Sequence, residues 1–179
     1  MDEWRRVRDE IRALVERDGV HPDTGAFTQS FGDDGKHDAS NLMIPIVGFV
    51  PHDDARARAT SERIVEELSA DGFVYRYLTD GVDGLSGDEA TFAICSFWLV
   101  ECLARAGETE RARELFERLL GFCNDVGLLA EEIDSHSGEL VGNLPQAFSH
   151  VGLIQAVIAL GASSSEGVPI EAPAAAASP

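Results

Sequence analysis

Lysine is almost missing from this chain. Of its 14 basic residues only Lys36 is lysine, set against 32 acidic residues for a formal net charge of −18. A surface of that sign repels phosphate, so nucleic acid is excluded as a partner. Acidic, lysine-poor surfaces also resemble those of proteins from high-salt cytoplasm, where dense counterions screen self-repulsion, and folding is expected to need salt. Cysteine is scarce too: Cys95, Cys102 and Cys123 lie in apolar segments, with no C-x-x-C spacing and no histidine at ligand spacing. That excludes a metal site, and the seven-residue step from Cys95 to Cys102 reads as two small core residues on one helical face. No uncharged apolar run of about 18 residues occurs, so no membrane span is expected. The N-terminal Met1–Arg6 runs straight into an amphipathic pattern without an apolar signal core, which predicts a cytoplasmic chain or one whose true start lies upstream. What is present is a good core composition, 44% hydrophobic over 179 residues, enough for one globular domain.

The apolar spacing reads as helices of two kinds. Trp4, Val7, Ile11 and Leu14 form one stripe of a helix ending near Gly19, and Ile64, Val65 and Leu68 mark another that Asp53 or Asp54 caps. Ala112, Leu115, Phe116, Leu119 and Leu120 mark a third, with Thr109 as its expected N-cap. Between them lie segments apolar on every side: Asn41–Phe49, Asp88–Ala106 and Gln146–Leu160. A helix with no polar face must be surrounded by protein. Ser163–Pro179, rich in Ser, Pro and Ala, reads as a disordered tail.

One-faced helix, long loop, all-round apolar helix: the scheme occurs three times, and only short links follow the apolar member. Two concentric layers satisfy it, with apolar helices inside, amphipathic ones outside and the long loops on one rim. The fold class is therefore all-α, an arc of an α/α toroid or solenoid made of three hairpins over residues 1–162. Three hairpins leave apolar flanks open at both ends, to be covered by an N-terminal complementing polypeptide, another partner or self-association.

The rim loops hold polar residues that turns alone do not require: Gln29-Ser30-Phe31-Gly32 and Asp38-Ala39-Ser40, then Tyr75-Arg76-Tyr77 and Asp80–Glu89, then Glu131-Glu132-Ile133-Asp134 and Asn143–His150. Here the chain resembles glycoside hydrolase family 15, which includes glucoamylases, glucodextranases and trehalases. The run NDVGLLAEEIDSHSGELVGNLPQAFSHVGLIQAVI, from Asn124 to Ile158, is similar to the family's final segment. HDASNLMIPIVGFVP resembles its Asp-Ala-Ser inner helix. YRY followed by DGLSGDEATFAICSFWLVECLARAG resembles its arginine loop and next helix.

This resemblance implies an (α/α)6 toroid and inverting hydrolysis of an α-glucan or α-glucoside, with no metal or organic cofactor. It places the general base on Glu131, the first Glu of the Glu-(Glu/Gln)-x-Asp motif, and Glu132 beside it in the substrate-binding set. Arg76 matches an arginine that hydrogen-bonds the sugar at the cleavage point, Phe148 an aromatic platform under the ring, and Asp38 part of the inner-helix motif without an assigned role. Inversion needs an acid and a base whose carboxyls stand roughly 6.5–9.5 Å apart, leaving room for the attacking water. The family's acid lies in an upstream Trp-Glu segment. Here Trp4 and Trp98 are followed by Arg5 and Leu99, so the chain reads as the last three of six hairpins, inactive alone.

Plainer readings compete. Glu131–Asp134 on so acidic a chain also reads as a solvated loop, Arg76 as an arginine stacked on Tyr75 and Tyr77, and Phe148 as core. The alternative function is a non-catalytic helical scaffold or interaction module. Ser149 and His150 do not form a catalytic pair, because neighbours on a helix point about 100° apart. Asn143 reads as the N-cap of the last helix.

Overall fold

The computed structural model describes residues 1–32, 36–78 and 90–163. Six α-helices follow one another: α1 Asp2–Asp18, α2 Met43–Ile46, α3 Ala55–Leu68, α4 Ala93–Arg105, α5 Thr109–Leu120 and α6 Ala147–Ser163. A 3-10 turn, Ala39–Leu42, leads into α2. These pair as three hairpins, with α1, α3 and α5 as the amphipathic members and the α2 segment, α4 and α6 as the apolar ones, an arc of a helical toroid. The expected tail lies, but for Ser163, outside the described residues, as do Asp80–Glu89 of the second loop.

Helix α4 is the centre of the arc. Its Ile94, Cys95, Phe97, Leu99, Val100, Cys102 and Leu103 are all buried in one cluster with Ile64 and Leu68 of α3 and Leu115 and Leu119 of α5, as its apolar sequence requires. Burial pushes the Cys95 thiol up to about 12 and raises Cys102 as well, so both behave as inert packing groups. Against α4 lies α6, which turns Ser149, Gly152, Ala156 and Ala159 inward. A Cβ at Gly152 would stand 3.0 Å from the Phe97 Cβ, so the glycine sets how closely the two helices approach.

The two ends of the arc differ from this middle. The stripe of α1 forms as expected, but Trp4 is 79% exposed and no residue of that helix is buried. Only its C-terminal end packs, through Val15 beside a small cluster of Phe27, Val50 and Ala57. At the other end α6 exposes Phe148, Val151, Ile154, Val157 and Ile158. Apolar flanks thus stand open on both sides.

Several boundaries depart from the sequence reading. Asn41–Phe49 is not one helix: α2 stops at Ile46, and Gly48 follows in the left-handed region at φ +75°. Asp54 does cap α3, its carboxylate accepting the Arg56 N–H at 2.9 Å. Thr109 is the first residue of α5 rather than its cap, which is Glu108 without a side-chain bond. Helix α4 starts only at Ala93, because Thr91–Phe92 is drawn into a sheet as β3. Among the described residues, five two-residue strands occur: β1 Ser69–Ala70 and β2 Phe73–Val74 form one antiparallel pair, and β3 pairs with β4 Glu132–Ile133, which pairs with β5 Leu140–Val141.

Candidate active site

Both rim loops that carry the candidate residues are fastened to the first turns of α4. On one side, the Ser96 hydroxyl accepts the N–H of Val74 at 2.9 Å, two residues ahead of Arg76. On the other, the Ala93 N–H donates to the Glu131 carbonyl at 3.0 Å, and the Thr91 hydroxyl donates to the Ile133 carbonyl at 2.7 Å. The N-terminal end of α4 is thus the shared post on which two loops, some 55 residues apart in sequence, are hung.

Arg76 and Asp38 meet. The Arg76 Nε donates to Asp38 Oδ1 at 2.6 Å, and the backbone is tied in parallel, Ala39 N–H to the Arg76 carbonyl at 2.8 Å. Asp38 Oδ1 also accepts the Ser40 N–H at 2.7 Å, which caps the 3-10 turn. Asp38 is buried and Arg76 half-exposed, so the carboxylate faces inward and holds the base of a guanidinium fork whose outer nitrogens make no hydrogen bond among the described residues. Burial works against the Arg76 charge, while the hydrogen bond and charge of Asp38 outweigh it and raise the guanidinium above its ordinary value. The arginine is a permanent cation, and stacking on Tyr75 and Tyr77 is not what holds it.

Glu131 sits one residue before β4. Its Oε2 accepts two hydrogen bonds from Asn143, at 3.1 Å from the backbone N–H and 2.7 Å from Nδ2. Its own N–H donates to the Asn143 carbonyl at 2.9 Å. Among the described residues, Oε1 accepts no hydrogen bond. Asn143 is therefore not the cap of the last helix, which begins at Ala147; its side chain serves Glu131 instead. Glu132, on β4, stands opposite Phe92 and Val141 in the ladder. Asp134 turns away into the β4–β5 hairpin, where the His136 N–H at 2.8 Å and the Ser137 N–H at 3.2 Å hold its carboxylate below the usual range.

The start of α6 locks the same loop. Ser149 Oγ donates to the Ala130 carbonyl at 2.8 Å, Gln146 N–H to the Leu129 carbonyl at 3.0 Å, and His150 Nε2 accepts the Leu129 N–H at 3.4 Å. Ser149 and His150 are thus hydrogen-bonding residues for the Glu131 loop. Phe148 is 62% exposed in the first turn of α6, outside the core and available as a wall. Two groups are assembled, Asp38–Arg76 and Glu131–Asn143, and no ion pair joins Arg76 to Glu131 among the described residues.

Asn143 and the supporting role of Asp38 were missed from sequence, although a signal existed. Ile133 and Leu140 flank a turn of Asp134–Gly138, a hairpin pattern whose register puts Glu131 level with Gly142. No cluster of three or more His, Cys, Asp or Glu able to hold a metal occurs among the described residues, and no helix there is long and apolar enough to cross a membrane.

Residues 1–158 match the model of the glycosyl hydrolases family 15. A trehalase of Mycobacterium tuberculosis is 49% identical over 157 residues, 87% of this chain and 23% of that protein. A trehalase of Thermoplasma volcanium is 42% identical over 154 residues, 86% of this chain and 24% of that protein. A solved wild-type glycosidase superposes with a TM-score of 0.72 at 26% identity, over 87% of this chain and 43% of its own. This chain spans about a quarter of the length of these trehalases. By sequence and by fold, the chain belongs to glycosyl hydrolases family 15.

Proposed function

We propose that this chain is the C-terminal part of an inverting α-glucosidase acting on trehalose, and that it contributes the general base. The observation that carries the reading is Glu131: a carboxylate fixed through one oxygen by Asn143, with the other oxygen unbonded among the described residues, in a chain whose relatives are named trehalases. In the reaction Glu131 Oε1 takes a proton from water as that water attacks the anomeric carbon, and the bond to the leaving glucose oxygen breaks on the opposite face. A carboxylic acid protonates that oxygen, so trehalose and water give two glucose molecules with inversion at the attacked carbon. Arg76, braced by Asp38, hydrogen-bonds the sugar in the cleavage subsite; Glu132 and Phe148 complete its wall.

The acid comes from a polypeptide bearing the upstream hairpins, because the Trp-Glu motif does not occur in this sequence. That polypeptide also covers the open faces of α1 and α6. The chain by itself is expected to be inactive. The competing reading, a scaffold that uses the same open faces without chemistry, is favoured by their size: nine large apolar residues on α1 and α6 lie exposed.

The test is to express the chain alone and together with the upstream polypeptide, offering trehalose and maltooligosaccharides and measuring glucose. Activity is expected only in the mixture and chiefly on trehalose. Glu131→Gln should lower kcat by about 10²–10⁴-fold, the range for loss of a general acid or base. An active Glu131→Gln enzyme removes Glu131 from the chemistry, and an inactive mixture leaves the scaffold.

A further inference from the structure

Gly142 and Asn143 have no part in the chemistry above, yet three hydrogen bonds and one close approach tie them to Glu131. Asn143 gives its backbone N–H and its side-chain amide to the same oxygen, Oε2, and its carbonyl receives the Glu131 N–H. The residue before it lies at φ +75°, and a Cβ there would stand 2.9 Å from the Glu131 Cβ and 3.0 Å from Oε2. Any side chain at 142 would be strained and would push the carboxylate off its place.

Resting on the general-base reading of Glu131, we infer that Asn143 is the positioning residue of the base and that Gly142 supplies the space in which it is held. A free glutamate rotates about three bonds and offers either oxygen. A base must stand within about 2.6–3.2 Å of the proton it accepts. Two donors on Oε2 choose the oxygen: Oε2 is the held atom and Oε1 the reacting one. Amide donors suit the task, since they bind an anion strongly without cancelling its charge. The grip is also stiff, because both residues end an antiparallel ladder, with Glu132 and Ile133 paired to Val141 and Leu140, and the Glu131 carbonyl is tied to α4. The sequence around Asn143 would suit a helix cap equally well, but α6 begins four residues later.

Two measurements test this. In the full chain labelled with ¹⁵N, the backbone and side-chain amide protons of Asn143 should resonate downfield, as donors to a carboxylate do, and Glu131→Ala should move both upfield. If neither moves, the grip does not exist in solution and the inference falls. In the assembled active enzyme, Asn143→Ala should lower kcat by about 10- to 100-fold, the scale of a misplacement near 1 Å, with KM held within about two-fold. Asn143→Asp, which sets one carboxylate against another, should lose more. Gly142→Ala should mimic Asn143→Ala. If Asn143→Ala keeps kcat while Glu131→Gln abolishes it, positioning is refuted and the base reading stands; if Glu131→Gln stays active, both fall. A kcat loss accompanied by an equal loss of near-ultraviolet circular dichroism would make Asn143 merely structural and overturn the assignment as well.

Discussion

Helices α4 and α6 are nearly interchangeable as sequences, both apolar on every side, yet they live in different surroundings. Around α4 the protein closes almost everywhere: Phe97 is fully buried, even Glu101 and Ser96 are enclosed, and only Trp98 is half-buried and Arg105 exposed. Helix α6 buries Ser149, Gly152, Ala156, Ala159 and Leu160 and shows most of its large residues to solvent, Ile154 at 56% exposure among them. The apolar pattern of a helix therefore states what the helix is built to touch, and the structure states what it touches now. Where the two disagree, an apolar face stands exposed.

Cutting into the enclosed helix should have the largest effect. Phe97→Ala, which opens a cavity at the centre of the core, is expected to cost about 3–5 kcal/mol in chemical denaturation. A cost below about 1 kcal/mol would mean that α4 is no better covered than α6. At the seam between the two, Gly152→Val places methyls beyond a position where even a Cβ would stand 3.0 Å from Phe97, and about 1–3 kcal/mol should be lost through overpacking. On the open face, Ile154→Asp should change the stability of the chain by no more than about 0.5 kcal/mol, as at other exposed positions. The same substitution should weaken assembly with the upstream polypeptide, seen as a higher concentration for half-maximal activity. An Ile154→Asp chain that unfolds would show the face to be already occupied.

Two milder measurements address charge rather than packing. With a net charge of −18, molar KCl should screen self-repulsion and raise the melting temperature; native circular dichroism that is full and salt-independent in dilute buffer would contradict this. The smallest effect concerns His52, which burial and then the Arg105 charge hold below its ordinary value, against the pull of Glu101 and Asp53. The unfolded chain takes up that proton at about pH 6.5, while the folded chain takes it up only at lower pH. The stability is therefore present above about pH 6.5 and lost as pH falls towards the folded value. His52→Gln should flatten that slope in denaturation series across this window.

The layered architecture was legible because burial is periodic. Ala112, Leu115 and Leu119 announce the inward face of α5, and the unbroken apolar run from Ile94 to Leu103 announces an enclosed helix. The short strands were not legible, since two residues such as Glu132–Ile133 carry no period to detect. Their pairing is a tertiary event that also shortens α4 by claiming Thr91 and Phe92. The stripe of Trp4, Val7, Ile11 and Leu14 predicted the helix correctly but could not reveal that no residue of that helix is buried here. In the candidate site, Glu131 and Arg76 were singled out through the motifs they share with the family. Asp38 and Asn143 were visible as polar residues whose partners only the folded loops disclose, because a hydrogen bond between positions 38 and 76, or 131 and 143, leaves no local trace.

Among the described residues, the bonds that hold Glu131 come from Asn143 at the carboxylate and Ala93 at the carbonyl. On the proposed function, that alignment is set before a complementing polypeptide docks. Docking would then have only to bring the acid and the missing wall, and the strength of docking would be uncoupled from the quality of the chemistry. In a titration of this chain with its complement, turnover per assembled pair should stay constant from dilute to saturating mixtures. Only the number of pairs should grow, so a loosely associating couple would hydrolyse as fast, molecule for molecule, as a fused one.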